Sequence, residues 1–222
     1  MSAQRIEIAR VHAPVTALGP GNRVGVWVQG CSIGCSGCAS RDTWAPGLGS
    51  VWTVHEVAAR VAVLVASLPD GPVGLSITGG EPLEQAGAVE ELVEQVRALV
   101  GVEIDVLVFT GLPISRVRDD HPSILGCVDA IVAGPYNSNA APKLALRSSA
   151  NQVLEICSPL GEVRYDELRN QAFGDGQVQI AAYESELLLI GLTKPGDLAQ
   201  LEEGLRARGV VVDRASWRPE ES

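Results

Sequence analysis

Short apolar runs of strand length alternate along this chain with longer stretches whose apolar positions recur at helical spacing. The run VGVWVQ at residues 24–29 is rich in β-branched residues and stops at Gly30, which predicts a strand that empties into a loop. Thr53 and Glu56 stand at capping-box spacing, and Val54, Val57, Val61, Leu64, Val65 and Leu68 keep one helical face until Pro69 and Gly71 break it. VGLSIT at residues 73–78 reads as a buried strand running into Gly79, Gly80, Glu81 and Pro82. Val89, Leu92, Val93, Val96, Leu99 and Val100 then form the apolar stripe of a helix whose wet side carries Glu90, Glu91 and Glu94. IDVLVFTG predicts a strand ending at Thr110 and Gly111, and VDAIVAGP and NQVLEI predict two more.

Continuous apolar strands alternating with helices indicate an α/β fold built on a parallel sheet covered on both faces, with right-handed crossovers. In such sheets, open or closed as a barrel, ligands gather at the carboxyl ends of the strands. The loop after residue 29, the GGE turn and the Thr110-Gly111 pair all fall at such ends, so they are expected to meet. The last third changes character. QVQIAAYESELLLIG predicts an antiparallel hairpin with Glu184 and Ser185 near its turn, KPGDLAQLEEGLRARG a helix stopped by Gly209, and VVVD a closing strand. With no repeat, low-complexity tract or linker, the reading is one domain over 1–222, its core at about 20–160 and a terminal elaboration at about 161–222.

Composition narrows the function. A net charge of −10 with no cluster of Lys and Arg argues against binding nucleic acid. No charged-then-apolar leader opens the sequence and no apolar run approaches the ~20 residues of a membrane span, so a cytoplasmic location and no membrane partner are expected. Thiols stay reduced there, and three of the five cysteines, Cys31, Cys35 and Cys38, share one loop, which suggests metal binding or catalysis rather than disulfides.

The spacing C-x3-C-x2-C lets three thiolates face one centre. Structural zinc needs a fourth protein ligand, to be recruited from Cys127, Cys157 or one of His12, His55 and His121, and the histidines offer no pair at ligand spacing. Cys127 and Cys157 read as small residues packed in the core. An iron–sulfur cluster held by three thiolates leaves one iron open to an outside ligand. S-adenosylmethionine presents an amine and a carboxylate for that position, and its sulfonium accepts an electron.

CSIGCSGC resembles the CxxxCxxC signature of the radical S-adenosylmethionine enzymes, and ITGGEPL at residues 77–83 resembles their GGE motif. The resemblance implies a partial (β/α) barrel of the radical SAM type. It implies a [4Fe–4S] cluster on Cys31, Cys35 and Cys38, with S-adenosyl-L-methionine on the fourth iron, near Gly79, Gly80, Glu81 and Thr110. WVQGCSIGCSGCASRDTW is similar to the matching segment of the anaerobic ribonucleotide reductase activating proteins: a Gln-Gly precedes the first cysteine, Gly37 precedes the third, and Thr-Trp follows. VFTGL, VDAIVAGPYN and LRSSANQVL extend the similarity, with Ser148 where that subgroup has Gly. What this implies is an enzyme whose radical removes hydrogen from a glycine of a partner glycyl radical enzyme, served by an external one-electron donor such as flavodoxin or ferredoxin. The same chemistry on a peptide or small metabolite is the alternative, and a non-catalytic metal or electron-transfer protein a lesser one. No catalytic residue is singled out. Asp129, Asn151, Trp27 and Trp44 read as structural as readily as ligand-binding, Arg147 as a surface Arg paired with a carboxylate, and Arg41 with Asp42 as a solvated pair.

Overall fold

The computed structural model describes residues 3–174, 178–183, 186–194 and 196–218. Its main sheet has seven strands: β1 (Arg5–Val15), β2 (Asn22–Val28), β3 (Ser50–Thr53), β4 (Val73–Gly79), β5 (Ile104–Thr110), β6 (Ala130–Ala133) and β7 (Val153–Ile156), in the spatial order β3-β1-β2-β4-β5-β6-β7. The pairs β2–β4, β4–β5 and β5–β6 are parallel, as the buried runs predict. The flanks differ from expectation: β1 pairs antiparallel with β2 and β3, and β7 antiparallel with β6. Two short helices make the crossover from β5 to the parallel β6, whereas a loop with no helix joins β6 to β7, and β7 returns antiparallel. The sheet is open, and among the described residues no barrel closes.

α1 (Val54–Val65) begins with the predicted capping box: Glu56 N–H donates to the Thr53 hydroxyl at 3.2 Å and the Glu56 carboxylate accepts Thr53 N–H at 2.7 Å. Such a cap contributes about 1 kcal/mol. α2 (Ala86–Leu99) lies beside it, and together they bury Val57, Val61, Val89, Leu92 and Val96 against Val24, Val26, Leu75, Ile77, Val106 and Val108. Two short helices follow β5, α3 (Ile114–Asp120) and α4 (Pro122–Cys127).

The opposite face of the sheet has two covers. α5 (Pro159–Asn170), which the sequence reading missed, inserts Tyr165 against Leu107, Ala130, Val132 and Leu154. The predicted hairpin, β8 (Val178–Ala182) with β9 (Leu187–Gly191), packs Leu188 and Ile190 on Val15, Leu18 and Trp27; its turn residues Glu184 and Ser185 lie outside the described residues. α6 (Asp197–Ala207) follows, with Gly209 at φ +79° just past it, as predicted. The VVVD segment after it is not a strand. At the amino edge of the sheet the fully buried Arg23 donates to Ser76 Oγ (2.6 Å), Leu75 O (2.9 Å) and Tyr165 Oη (3.1 Å) and pairs with Asp105 at 2.8 Å, fixing α5 to the strands. Among the described residues no helix is long and apolar enough to cross a membrane.

Candidate metal centre

The in-register parallel pairing brings the ends of β2, β4, β5 and β6 to one edge, and the predicted convergence occurs there. The cysteine loop leaves β2 and returns on itself through a two-rung neck: Gly30 N–H donates to Thr43 O at 2.8 Å, and Cys31 N–H to Trp44 O at 2.9 Å. Gln29, 4 % exposed, braces that neck with its amide nitrogen, donating to Asp42 O (3.1 Å) and Ala45 O (2.7 Å). Past Cys31, the Glu84 carboxylate accepts both the N–H (2.7 Å) and the hydroxyl (2.6 Å) of Ser32. The chain then turns through Gly34 and Gly37, both left-handed at φ +62° and +78°, which no β-carbon favours. Cys38 N–H closes the turn on Cys35 O at 3.1 Å.

All three loop cysteines are half-buried, reduced and within one another's electrostatic reach. Burial first, and then the neighbouring sulfurs, push the Cys35 and Cys38 thiols up from their ordinary pKa. Thiolates crowded in this way are relieved by a bound cation. One N–H already aims at a sulfur, Ser40 N–H at Cys38 Sγ (3.4 Å), and Trp44 and Tyr136 lie near Cys38 and Cys35. Hydrogen bonds of this kind tune iron–sulfur clusters. Among the described residues no three His, Cys, Asp or Glu side chains stand convergent enough to hold an ion, so seating one takes side-chain rotation on a loop whose backbone is tied down. A soft, three-thiolate donor set with an N–H donor beside it fits an iron–sulfur cluster and leaves structural zinc one ligand short.

The GGE turn locks onto the start of the loop. Gly80 N–H donates to Val28 O (2.8 Å) and Glu81 N–H to Gly30 O (2.7 Å). A β-carbon on Gly80 would stand 2.1 Å from Gly30 O, so only glycine permits this approach. The Glu81 side chain, 1 % exposed, turns inward: its carboxylate accepts Thr110 Oγ1–H (2.6 Å), Gly111 N–H (2.7 Å) and Leu83 N–H (2.9 Å). Burial raises its pKa against the pull of those three donors. The Glu81 carboxylate is thus used within the fold, on Thr110, Gly111 and Leu83. The Thr110 hydroxyl is likewise engaged, donating to Glu81 and accepting Leu112 N–H at 3.1 Å. β6 joins through Gly134 N–H to Thr110 O (3.1 Å) and through Tyr136 and Ser138, which stand against Gly37.

Other residues weighed from sequence lie elsewhere. Asp129 accepts Val106 N–H (2.8 Å) and pairs with Arg97 (2.7 Å) at the amino edge of β5 and β6. Asn151 donates to Pro135 O at 2.8 Å. Arg147 is 6 % exposed and donates to the carbonyls of Ala145, Leu168 and Arg169, so it is a buried backbone clamp and not a surface ion pair. Trp27 packs under the hairpin. Arg41 and Asp42 have separate partners, Arg41 lying 4.9 Å over the Trp44 ring and Asp42 pairing with Arg10. Cys127 and Cys157 are half-buried beside the core, with thiols pushed up mainly by burial to about 11 and about 12. Sequence reasoning missed Glu84 and Tyr136. Glu84 carried a weak signal, a carboxylate one turn beyond the GGE motif; Tyr136, whose ring stands against Gly37, carried none.

The family described as 4Fe-4S single cluster domain matches residues 17–155 of this chain. The anaerobic ribonucleoside-triphosphate reductase-activating protein of Vibrio cholerae serotype O1 is 33% identical over 142 residues, which cover 61% of this chain and 88% of that protein. The protein of the same name from Enterobacteria phage T4 is 34% identical over 138 residues, covering 61% and 85%. That from Escherichia coli K12 is 28% identical over 142 residues, covering 61% and 89%. The matched region holds the cysteine loop, the GGE turn, Thr110 and the Arg147 clamp. This chain belongs to the 4Fe-4S single cluster domain family, in the branch of the anaerobic ribonucleoside-triphosphate reductase-activating proteins.

Proposed function

We propose that this chain is a radical S-adenosylmethionine activase with one [4Fe–4S] cluster on Cys31, Cys35 and Cys38, acting on a glycine of a partner glycyl radical enzyme related to the anaerobic ribonucleotide reductases. When bound, the cluster supplies the electron that cleaves S-adenosylmethionine to methionine and a carbon radical able to take hydrogen from that glycine. One observation carries the reading. The backbone of the GGE turn is hydrogen-bonded to the first residues of the cysteine loop, Glu81 N–H to Gly30 O at 2.7 Å, so two motifs distant in sequence form one site.

The chain's own residues have separable tasks in this reading. Cys31, Cys35 and Cys38 hold iron. Ser40 N–H donates to Cys38 Sγ and steadies its charge, with Trp44 and Tyr136 beside the sulfurs. Gly79 and Gly80 let backbone approach a ligand closely, while Glu81 and Thr110 hold that backbone still. The open seven-stranded sheet is read as a partial barrel of the radical SAM type, whose missing wall leaves room for a protein loop to enter.

The test is anaerobic reconstitution with iron and sulfide, reduction with dithionite beside S-adenosylmethionine, and assay of 5′-deoxyadenosine, with and without a candidate partner enzyme. Formation that depends on all three loop cysteines supports the reading, and a glycyl radical signal in the partner identifies the substrate class. A full cluster that yields no 5′-deoxyadenosine under either condition overturns it.

A further inference from the structure

The family match ends at residue 155, and the chain beyond it returns to the cysteine loop. Ser216 grips the loop on both sides of Ser40: its hydroxyl donates to Ala39 O at 2.5 Å, and its carbonyl accepts Arg41 N–H at 3.1 Å. Ser40 is the residue whose N–H points at Cys38 Sγ, and its own carbonyl takes the Thr43 hydroxyl at 2.7 Å. The peptide next to the third cysteine is thereby held from two directions.

The arm is attached by polar bonds rather than by a core. Among the described residues from 192 to 218 none is buried. Its end is folded onto α6 by Glu202, which accepts Trp217 Nε1–H (2.6 Å) and Arg218 Nη2–H (2.6 Å). A segment with few buried apolar contacts opens at low cost while the sheet stays folded.

We infer that residues 196–218 form a displaceable strap over the cysteine loop, and that Ser216 is a positioning residue that fixes Ser40 against Cys38 and limits access to that sulfur. The strap stands on these contacts alone; its effect on iron retention rests on the reading of Cys38 as a ligand given above.

The test uses the full-length, metal-free protein, pulsed with iodoacetamide and read cysteine by cysteine by mass spectrometry. Ser216→Ala raises the alkylation rate of Cys38 relative to Cys31 by about fivefold, the population change that loss of one hydrogen bond of ordinary net strength brings. Ser216→Thr restores the ratio. Glu202→Gln, which loosens the end of the strap from α6 without touching the loop, shifts the ratio in the same direction, and the Arg41 amide exchanges faster in both loosened variants. An unchanged Cys38-to-Cys31 ratio in both Ser216→Ala and Glu202→Gln overturns the inference, as does a parallel rise at the half-buried Cys157, which signals general loosening. In reconstituted protein, Ser216→Ala loses iron to a chelator faster than the parent chain. Failure of the alkylation contrast leaves the proposed chemistry untouched, and failure of the 5′-deoxyadenosine assay leaves the strap untouched.

Discussion

The carboxylate of Glu81 accepts the hydroxyl of Thr110 at 2.6 Å, tying the turn after β4 to the end of β5. Both groups are buried, so removal of either leaves the other short of a partner. Thr110→Val is expected to cost about 1–3 kcal/mol in urea unfolding. Burial, the largest influence, raises the Glu81 pKa above 4.5, so this group's contribution is full below that value and is lost as pH rises through the folded value. The Thr110 bond favours the carboxylate, and its loss bites more once Glu81 is ionised. The deficit of Thr110→Val is therefore larger at about pH 7 than at about pH 5.

Gly80 and Gly34 separate close approach from backbone strain. A β-carbon at Gly80 meets Gly30 O at 2.1 Å and Thr43 O at 3.0 Å, both backbone atoms of the loop neck. Gly80→Ala is expected to cost about 3 kcal/mol or more and to abolish iron incorporation, because the neck must open. Gly34 has φ +62° but nothing within 4 Å of its β-carbon position. Gly34→Ala is expected to cost about 1 kcal/mol and to keep its iron. Chemical denaturation with iron analysis distinguishes the two.

Arg23 and Asp105 form an ion pair whose side chains are 0% and 1% exposed. Arg23→Met leaves the buried Asp105 charge only the Tyr165 hydroxyl and Arg164 at 3.8 Å, and is expected to destabilise by about 3 kcal/mol. The double variant Arg23→Met with Asp105→Leu is expected to lose clearly less than the sum of the single losses, because no stranded carboxylate remains. Urea midpoints of the three variants close the cycle.

The five cysteines should divide into two sets. Replacing Cys31, Cys35 or Cys38 by Ala is expected to prevent assembly of a full cluster. Cys127→Ala and Cys157→Ala are expected to keep iron and to cost about 1–2 kcal/mol. The folded thiols of Cys127 and Cys157, at about 11 and about 12, lie above their ordinary value of 9.0. Their contribution is complete below that value and is lost as pH rises through 11 to 12, so alkaline unfolding is expected to be blunted in Cys157→Ala. Iron and sulfide analysis together with alkaline titration checks both statements.

Periodicity alone located β2, α1, β4, α2, β5, the hairpin strands and α6, because each is a run whose apolar spacing has one good match. It missed β1, whose sequence RIEIARVHAPV carries charged residues on a half-buried, bulged flank strand and so lacks a clean alternation. It missed α5, where Tyr165, with Leu168 and the buried Gly161, rather than a regular apolar stripe makes the contact with the sheet. The direction of β7 was illegible too, since a short apolar strand reads alike in either direction and only the path of the preceding connection, helical before β6 and a loop before β7, decides it.

The sequence by itself determined the candidate donor set and where it lies: three thiols at C-x3-C-x2-C spacing, a GGE turn, and their places after strands. Those are local properties, fixed by residue type and by distance along the chain. The tertiary structure decided which groups face the site. It turned the Glu81 carboxylate inward onto Thr110, recruited Glu84, Tyr136 and Ser216 to the loop, and made Arg147 a clamp on backbone carbonyls. Burial and long-range hydrogen bonding settle such roles, and neither is encoded in the spacing of residues along the chain.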